Sequence, residues 1–176
     1  MESDSILPQL LLQLVLIAVN ALFAATEIAV ISLNETKVRR MAEGGDRKAA
    51  KMLRMVTEPT GFLSTIQICI TLAGFLGSAF AADNFSDKLV NWLINDCEVS
   101  GVSPSALDTI SVIIITLVLS YFTLVLGELV PKRIAMKRPE GIARAVSGLM
   151  IGMTTVLRPV IWLLTVSTNG VLRLCG

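Results

Sequence analysis

Two carboxylates sit where carboxylates are rare. Glu27 and Glu128 each lie inside a long apolar run, and Glu128 stands three residues before Pro131 in the stretch LVLGELVPKR (Leu124–Arg133). An ionisable group inside such a run is expensive to keep there and commonly marks an ion or proton pathway. Polar residues recur around both at helical spacing. Gln13, Asn20 and Glu27 are separated by sevens, with Ala24 between the last two. Ser64, Gln67, Thr71, Gly74 and Ser78 follow i, i+3, i+7, i+10, i+14. Thr116, Ser120, Thr123 and Gly127 form a third stripe with Glu128 beside it. Helical periodicity puts each set on one face, and polar groups avoid lipid, so the three stripes are expected to face one another.

Carboxylates, hydroxyls, an amide and freed carbonyls are hard oxygen ligands, suited to Mg²⁺, Ca²⁺ or Na⁺. Pro131 has no N–H for the carbonyl one turn back, near Gly127, and that oxygen becomes available to a ligand. Glu128 therefore reads as a cation-binding or proton-exchanging carboxylate at the inner mouth of a pathway. The candidate cation-binding set is Glu128, Gln67, Ser64, Thr123, Glu27, Asn20 and Thr71, with Glu128, Gln67 and Ser64 as metal ligands. Gly127, Pro131 and Lys132 make a helix break or gate. Competing roles stand beside these. Asn20 also suits a hydrogen bond between helices, and Glu27 suits protonation or a structural ion pair with Lys132 or Arg133. Intramembrane Ser and Thr, such as Thr116 and Ser78, can simply bond carbonyls of their own helix.

The elements that must carry these residues are set by composition. Of 176 residues, 53% are hydrophobic and 16% charged, against about a quarter charged in a soluble domain. Mean hydropathy is +0.72. The fold class is all-α integral membrane. A net charge of +1 makes no electrostatic case for nucleic acid. Cys69, Cys97 and Cys175 fit no metal spacing and no paired framework, and histidine is absent. With no nucleophile–base pair, metal motif or phosphate-binding glycine loop, an enzyme is not expected.

Three apolar runs, 6–33, 60–82 and 109–130, are each near the ~20 residues a bilayer-spanning helix needs. The first begins after Glu2 and Asp4 rather than a basic flank, so it reads as a retained span and not a signal peptide. Lys37, Arg39, Arg40, Arg47, Lys48, Lys51 and Arg54 fill the first connection, whereas Asp83–Asp108 holds Lys88 among five acidic residues. Lys132, Arg133, Lys137, Arg138 and Arg144 follow the third run. By the positive-inside rule the N-terminus is outside and the C-terminus cytoplasmic, in a cell (inner or plasma) membrane. Glu27 then lies six residues from the cytoplasmic end of its span, about 9 Å.

Residues 35–58 alternate apolar and basic positions around Gly44-Gly45, which predicts a pair of surface helices at the lipid headgroups. The segment 141–174 is long enough to cross, but Arg158 and Pro159 at its centre favour two shorter interfacial helices. Gly141, Ala145, Gly148 and Gly152 recur there at helical spacing, a face on which the spans or a second subunit can pack closely.

Several stretches then resemble the CorC/CNNM family: NALFAATEIAVISLN (Asn20–Asn34), FLSTIQICITLAGFLGS (Phe62–Ser78), LSYFTLVLGELVPKRIA (Leu119–Ala135) and RPVIWLLTVSTNGVLRL (Arg158–Leu174). The resemblance covers essentially the whole chain, and GELVPKR with STIQICITLAG is specific in combination. It implies a homodimer of modules with three spans and a belt of cytoplasmic-side helices, usually followed by CBS domains and a small C-terminal domain. Nothing follows Gly176 to supply those domains, so a truncated chain or a lone membrane module is expected. The family is associated with Mg²⁺ export, proposed to be driven by Na⁺ entry, and with hemolysin-like naming; other members are linked to cobalt resistance or polyamine export. Glu128, Pro131 and Lys132 match its pattern. The family's first-helix serine falls at Ala24, a Gly-Asn pair of some members at Cys69-Ile70, and a later asparagine at Gly74, which removes oxygen ligands.

The first functional expectation is a transporter module for Mg²⁺ efflux coupled to Na⁺. The alternatives are export of a polyamine or other organic cation, and a non-transporting membrane regulator.

Overall fold

The computed structural model describes residues 6–95 and 104–175; Glu2, Asp4 and Cys97 fall outside these, as do the acidic side chains of the 83–108 segment and Lys88. Every element among the described residues is helical: α1 (Ile6–Ile31), α2 (Glu35–Glu43), α3 (Arg47–Thr57), α4 (Pro59–Asn95), α5 (Pro104–Leu124), a π-helical turn (Val125–Leu129), α6 (Val130–Lys137), α7 (Pro139–Val156) and α8 (Arg158–Cys175).

Three stretches are long and apolar enough to cross a membrane: Ile6–Ile31, Pro59–Ala81 and Ser105–Lys137. Their surfaces support the same reading. Leu7, Leu14, Phe75, Leu117 and Tyr121 are all more than half exposed, a density of apolar surface that water does not tolerate but lipid does. α4 continues to Asn95, well past the expected end of its span. The third helical stretch starts at Pro104 and passes through Pro131 instead of stopping there. Pro131 lies two residues after a π-helical turn inside this continuous helix, where its ring removes one N–H from the ladder. The turn before it is π-helical, closed by the Val130 N–H donating to the Val125 carbonyl.

The expected break between the two surface helices falls at Gly44-Gly45. Gly45 has φ of 91°, a left-handed conformation that a side chain would strain. The Asp46 carboxylate then caps α3, accepting from the N–H of Lys48 at 2.9 Å and of Ala49 at 3.2 Å. Asn34 caps α2 likewise, accepting from the Lys37 N–H at 3.0 Å. The 141–174 segment is two helices bent by 67° at a break of one residue, Leu157. Pro159 sits in the first turn of α8, where a proline ring causes no clash.

The chain divides into two compact units, Met1–Leu22 with Ile70–Pro131 and Phe23–Cys69 with Lys132–Gly176. The second unit has the clearer core. Ala29, Leu33, Val38, Met52, Ala135 and Ala143 form one buried cluster. α3 contributes Ala49, Met52 and Met55, spaced by threes on one face, and packs on α7 through Ala143, Val146, Ser147 and Met150. Two surface ion pairs tie the α2–α3 hairpin to α7: Lys37 Nζ to Glu140 Oε1 at 2.6 Å and Arg144 Nη1 to Asp46 Oδ2 at 2.7 Å. Pairs this exposed each contribute at most about 1 kcal/mol, so the apolar cluster carries the docking. The small-residue face of α7 packs on little within the chain. Gly141 and Gly152 would meet nothing with an added Cβ, and Gly148 only the Lys51 amine at 3.6 Å.

Candidate functional site

In the first unit a groove of about 500 Å³ runs between α4 and α5. Its polar lining is Thr71, Gly74 and Ser78 from α4, and Ser120, Thr123 and Glu128 from α5 and the π-helical turn. Ile70, Phe75, Leu119 and Leu124 supply apolar walls. Two of the three polar stripes thus face one another. The periodicity explains Thr71, Gly74 and Ser78, but not why Thr123 and Glu128 share a wall. Residues five apart point about 140° away from each other on an α-helix. Here the wider π-helical turn, Val125–Leu129, lies between them and brings Glu128 round to the groove. Turns of this kind recur at functional sites. Helical spacing had no means of showing it; Gly127 followed by Pro131 was the only local signal.

The third stripe, on α1, does not line the groove, but it meets the α5 stripe at Gly127. Gln13 and Asn20 are buried, 6% and 4% exposed, and neither lines the groove. Gln13 lies against Gly77, where an added Cβ would come within 3.2 Å of its amide nitrogen. Asn20 Nδ2 donates to the carbonyl oxygen of Gly127 at 3.1 Å. The carbonyl expected to be free for a ligand, because Pro131 cannot reach it, is therefore taken by Asn20. The role of Asn20 that this geometry displays is the bond between helices; its Oδ1 is buried and accepts no hydrogen bond from another described residue. Glycine fits closely at 127, since a Cβ would stand 3.1 Å from that amide nitrogen and 3.4 Å from the Ile17 carbonyl.

Glu27, Ser64, Gln67 and Lys132 belong to the second unit. There Lys132 Nζ meets Glu27 Oε2 at 3.0 Å, each side chain 26% exposed. Of the roles open to Glu27 (cation binding, protonation and an ion pair), this geometry displays the ion pair, with Lys132 as the partner. Ser64 is half-buried and Gln67 exposed. Ala24 and Cys69 are buried apolar packing, and Ile70 is a half-buried apolar wall of the groove. At Gly74 an added Cβ would meet nothing within 4 Å, so the groove has room beside it.

No cluster of three or more His, Cys, Asp or Glu occurs among the described residues. The groove instead offers one carboxylate followed by hydroxyls. Thr71 and Ser78, seven residues apart on one helix, spread those hydroxyls over about 10 Å. Such a lining can hold a cation at one end and hydrogen-bond an extended molecule along the rest.

Three helical stretches long and apolar enough to cross a membrane, with a carboxylate beside a π-helical turn in the third, define a helical membrane module. Residues 11–176 match the cyclin M transmembrane N-terminal domain, and the chain belongs to that family (CNNM). It is 37% identical over its whole length to a UPF0053 protein of Synechocystis sp., covering 38% of that protein. It is 29% identical to the polyamine export protein of Haemophilus influenzae, over 90% of the chain and 36% of that relative. A UPF0053 inner membrane protein of Escherichia coli is 28% identical over 90% of the chain, which spans 33% of it. The chain thus spans little more than a third of these relatives.

Proposed function

We propose that this module carries a cation out of the cell through the α4–α5 groove, with Glu128 as the binding carboxylate. The observation that carries this reading is the placement of Glu128 by the π-helical turn at one end of a hydroxyl-lined groove. A carboxylate kept inside a span and turned toward a polar groove, rather than toward lipid, has a use for its charge. The membrane orientation that goes with it, N-terminus outside and C-terminus cytoplasmic, is supported by the basic residues of the 34–59 and 131–144 segments. A homodimer fits the small-residue face of α7, exposed at Gly141, Ala145, Gly148 and Gly152. The greater length of the relatives leaves room for cytoplasmic CBS domains.

The substrate class favoured by the groove is an elongated organic cation of the polyamine kind. Among the described residues that line it, Glu128 is the one carboxylate, and Glu27 is held by Lys132 in the other unit. One carboxylate and a row of hydroxyls suit an amine with a chain behind it, and a relative bears the name polyamine export protein. Mg²⁺, with Na⁺ as the coupling ion, is the second reading. It is supported by a polar lining made wholly of side-chain oxygens, and Mg²⁺ commonly keeps several of its waters when few protein ligands are offered.

The test uses proteoliposomes containing the full protein that bears this module. Putrescine and Mg²⁺ fluxes are compared for wild type and Glu128→Gln under an imposed Na⁺ gradient. Putrescine flux reduced at least about tenfold in the variant, with the variant's melting temperature retained, supports the reading. Mg²⁺ flux lost in the same way moves the substrate to the second reading. Flux of both cations unchanged by Glu128→Gln ends the proposal.

A further inference from the structure

At the junction of α7 and α8 the second unit holds a separate pocket of about 270 Å³. Two arginines line it: Arg54, from the last turn of α3, and Arg158, the first residue of α8. Thr154 and Thr155 of α7 and Gly61 and Phe62 of α4 complete its inner walls, and Ile151 and Ile161 add apolar surface. None of these residues belongs to the proposed cation groove.

The charges in this pocket are not balanced internally. Glu58 also lines it and lies 3.7 Å from Arg54 Nε, but both side chains are more than half exposed, so the pair is weak. Arg158 makes no ion pair or hydrogen bond with another described residue, and the pocket keeps a net charge of +1 from two guanidiniums and one carboxylate. The threonines do not answer Arg158 either. Thr155 Oγ1 donates to the Ile151 carbonyl at 2.8 Å. Thr65 Oγ1 donates to the Gly61 carbonyl at 2.8 Å, so in the 3.0 Å contact between Thr65 and Thr154 it is Thr154 that donates. Thr155 thus spends its proton within α7, and Thr154 spends its own on joining α7 to α4. Recognition therefore falls to the two planar forks of the arginines, a geometry matched to phosphate oxygens.

The pocket's position selects the source of the phosphate. It opens beside Gly61 and Phe62, at the start of the Pro59–Ala81 span, which is where a bilayer's polar edge must lie. α8 leaves the pocket with Trp162, Leu163, Leu164 and Val166 exposed, an apolar surface headed by a tryptophan, the residue enriched at headgroup depth. Phe62, Ile151 and Ile161 make the pocket itself half apolar, which suits an amphiphile better than a free ion.

We propose that Arg54 and Arg158 form a site for the phosphate of an anionic phospholipid headgroup, docked where α3, α4 and the α7–α8 bend meet. Glu58 limits the site to a monoanionic phosphodiester. The bend at Leu157 is what makes it: a straight α7–α8 helix would carry Arg158 away along its axis instead of turning it over the start of α4.

The experiment is lipid retention by native mass spectrometry, on the full protein extracted from vesicles of phosphatidylcholine with a minor fraction of phosphatidylglycerol. Thermal shifts are measured in parallel with phosphatidylglycerol or inorganic phosphate. Wild type is expected to retain phosphatidylglycerol, and Arg158→Gln or Arg54→Gln to weaken retention roughly tenfold each, the usual weight of a charge-assisted contact. Glu58→Gln is expected to strengthen it, a change in the opposite direction that a loss of folding cannot imitate. Equal stabilisation by inorganic phosphate overturns the lipid source. Equal retention by wild type and the arginine variants overturns the site.

Discussion

The side-chain amide of Asn20 donates to the carbonyl of Gly127 at 3.1 Å, joining α1 to the π-helical turn across 107 residues of sequence. The bond has a local cause. Pro131 has no N–H to give a carbonyl one turn back, and a buried carbonyl left unpaired in a bilayer is costly. Asn20 supplies the missing donor. Gly127 allows it, because without a Cβ it lets the amide come that close. The turn that aims Glu128 is thereby anchored from a different helix.

Replacing Asn20 tests this anchor. Asn20→Leu keeps the volume roughly constant and removes the donor, leaving the Gly127 carbonyl buried. The expected loss is about 1–3 kcal/mol, seen as a lower melting temperature in detergent micelles. A melting temperature equal to wild type would mean that the carbonyl has another partner and the turn does not depend on Asn20.

Two glycines in the same unit should respond oppositely to alanine. At Gly127 the new Cβ meets the Asn20 amide at 3.1 Å and the Ile17 backbone carbonyl at 3.4 Å, so Gly127→Ala is expected to destabilise by about 1–3 kcal/mol. At Gly74 it meets nothing within 4 Å. Gly74→Ala should hold or raise stability, by up to about 1 kcal/mol of helix propensity, while narrowing the groove and slowing transport. Thermal melts and flux assays on the two variants separate the cases; equal destabilisation would contradict the packing described.

The Glu27–Lys132 pair, 3.0 Å apart and a quarter exposed, lies between a surface and a buried salt bridge. A double-mutant cycle with Glu27→Gln and Lys132→Met should give a coupling of about 1–3 kcal/mol. Each single variant removes the attraction between the two charges, so the double variant is expected to lose less than the sum of the two. Additive losses would show that the two side chains do not act on one another.

Asp46, outside the spans, supplies a pH dependence. Its carboxylate is held below the ordinary aspartate range, first by the Ala49 N–H, with the Arg144 guanidinium and the Lys48 N–H adding to the effect and partial desolvation opposing it. A carboxyl depressed on folding stabilises the protein fully above the value it has when unfolded, and that contribution fades as pH falls through the lower folded value. The stability gap between wild type and Asp46→Asn is therefore expected to be constant near neutrality and to close in the acid range below the ordinary aspartate value. Melting curves for both proteins across that range check it; a gap that widens on acidification would reverse the sign.

Much of this was legible from local pattern. Hydrophobic runs placed the three spans, the Gly44-Gly45 pair placed the break between α2 and α3, and Arg158-Pro159 marked the bend in the last segment. The α4 and α5 stripes, Thr71, Gly74 and Ser78 against Ser120 and Thr123, were readable because 3.6-residue periodicity is a property of one helix at a time. The ends of the helices were less so: α4 runs on to Asn95, and the third helix passes through Pro131 where a stop was expected.

What periodicity cannot contain is how one helix is rotated against another, or where a helix changes its own repeat. Tertiary structure decided that the α1 stripe would serve packing, with Gln13 on Gly77 and Asn20 on Gly127, and that Glu27 would go to Lys132. It also decided that Glu128 would join Thr123 in one groove, because the wider π-helical turn between them changes the angle that α-helical counting assigns. The sequence by itself determined the carboxylate and the apolar run that holds it; packing determined which way it faces.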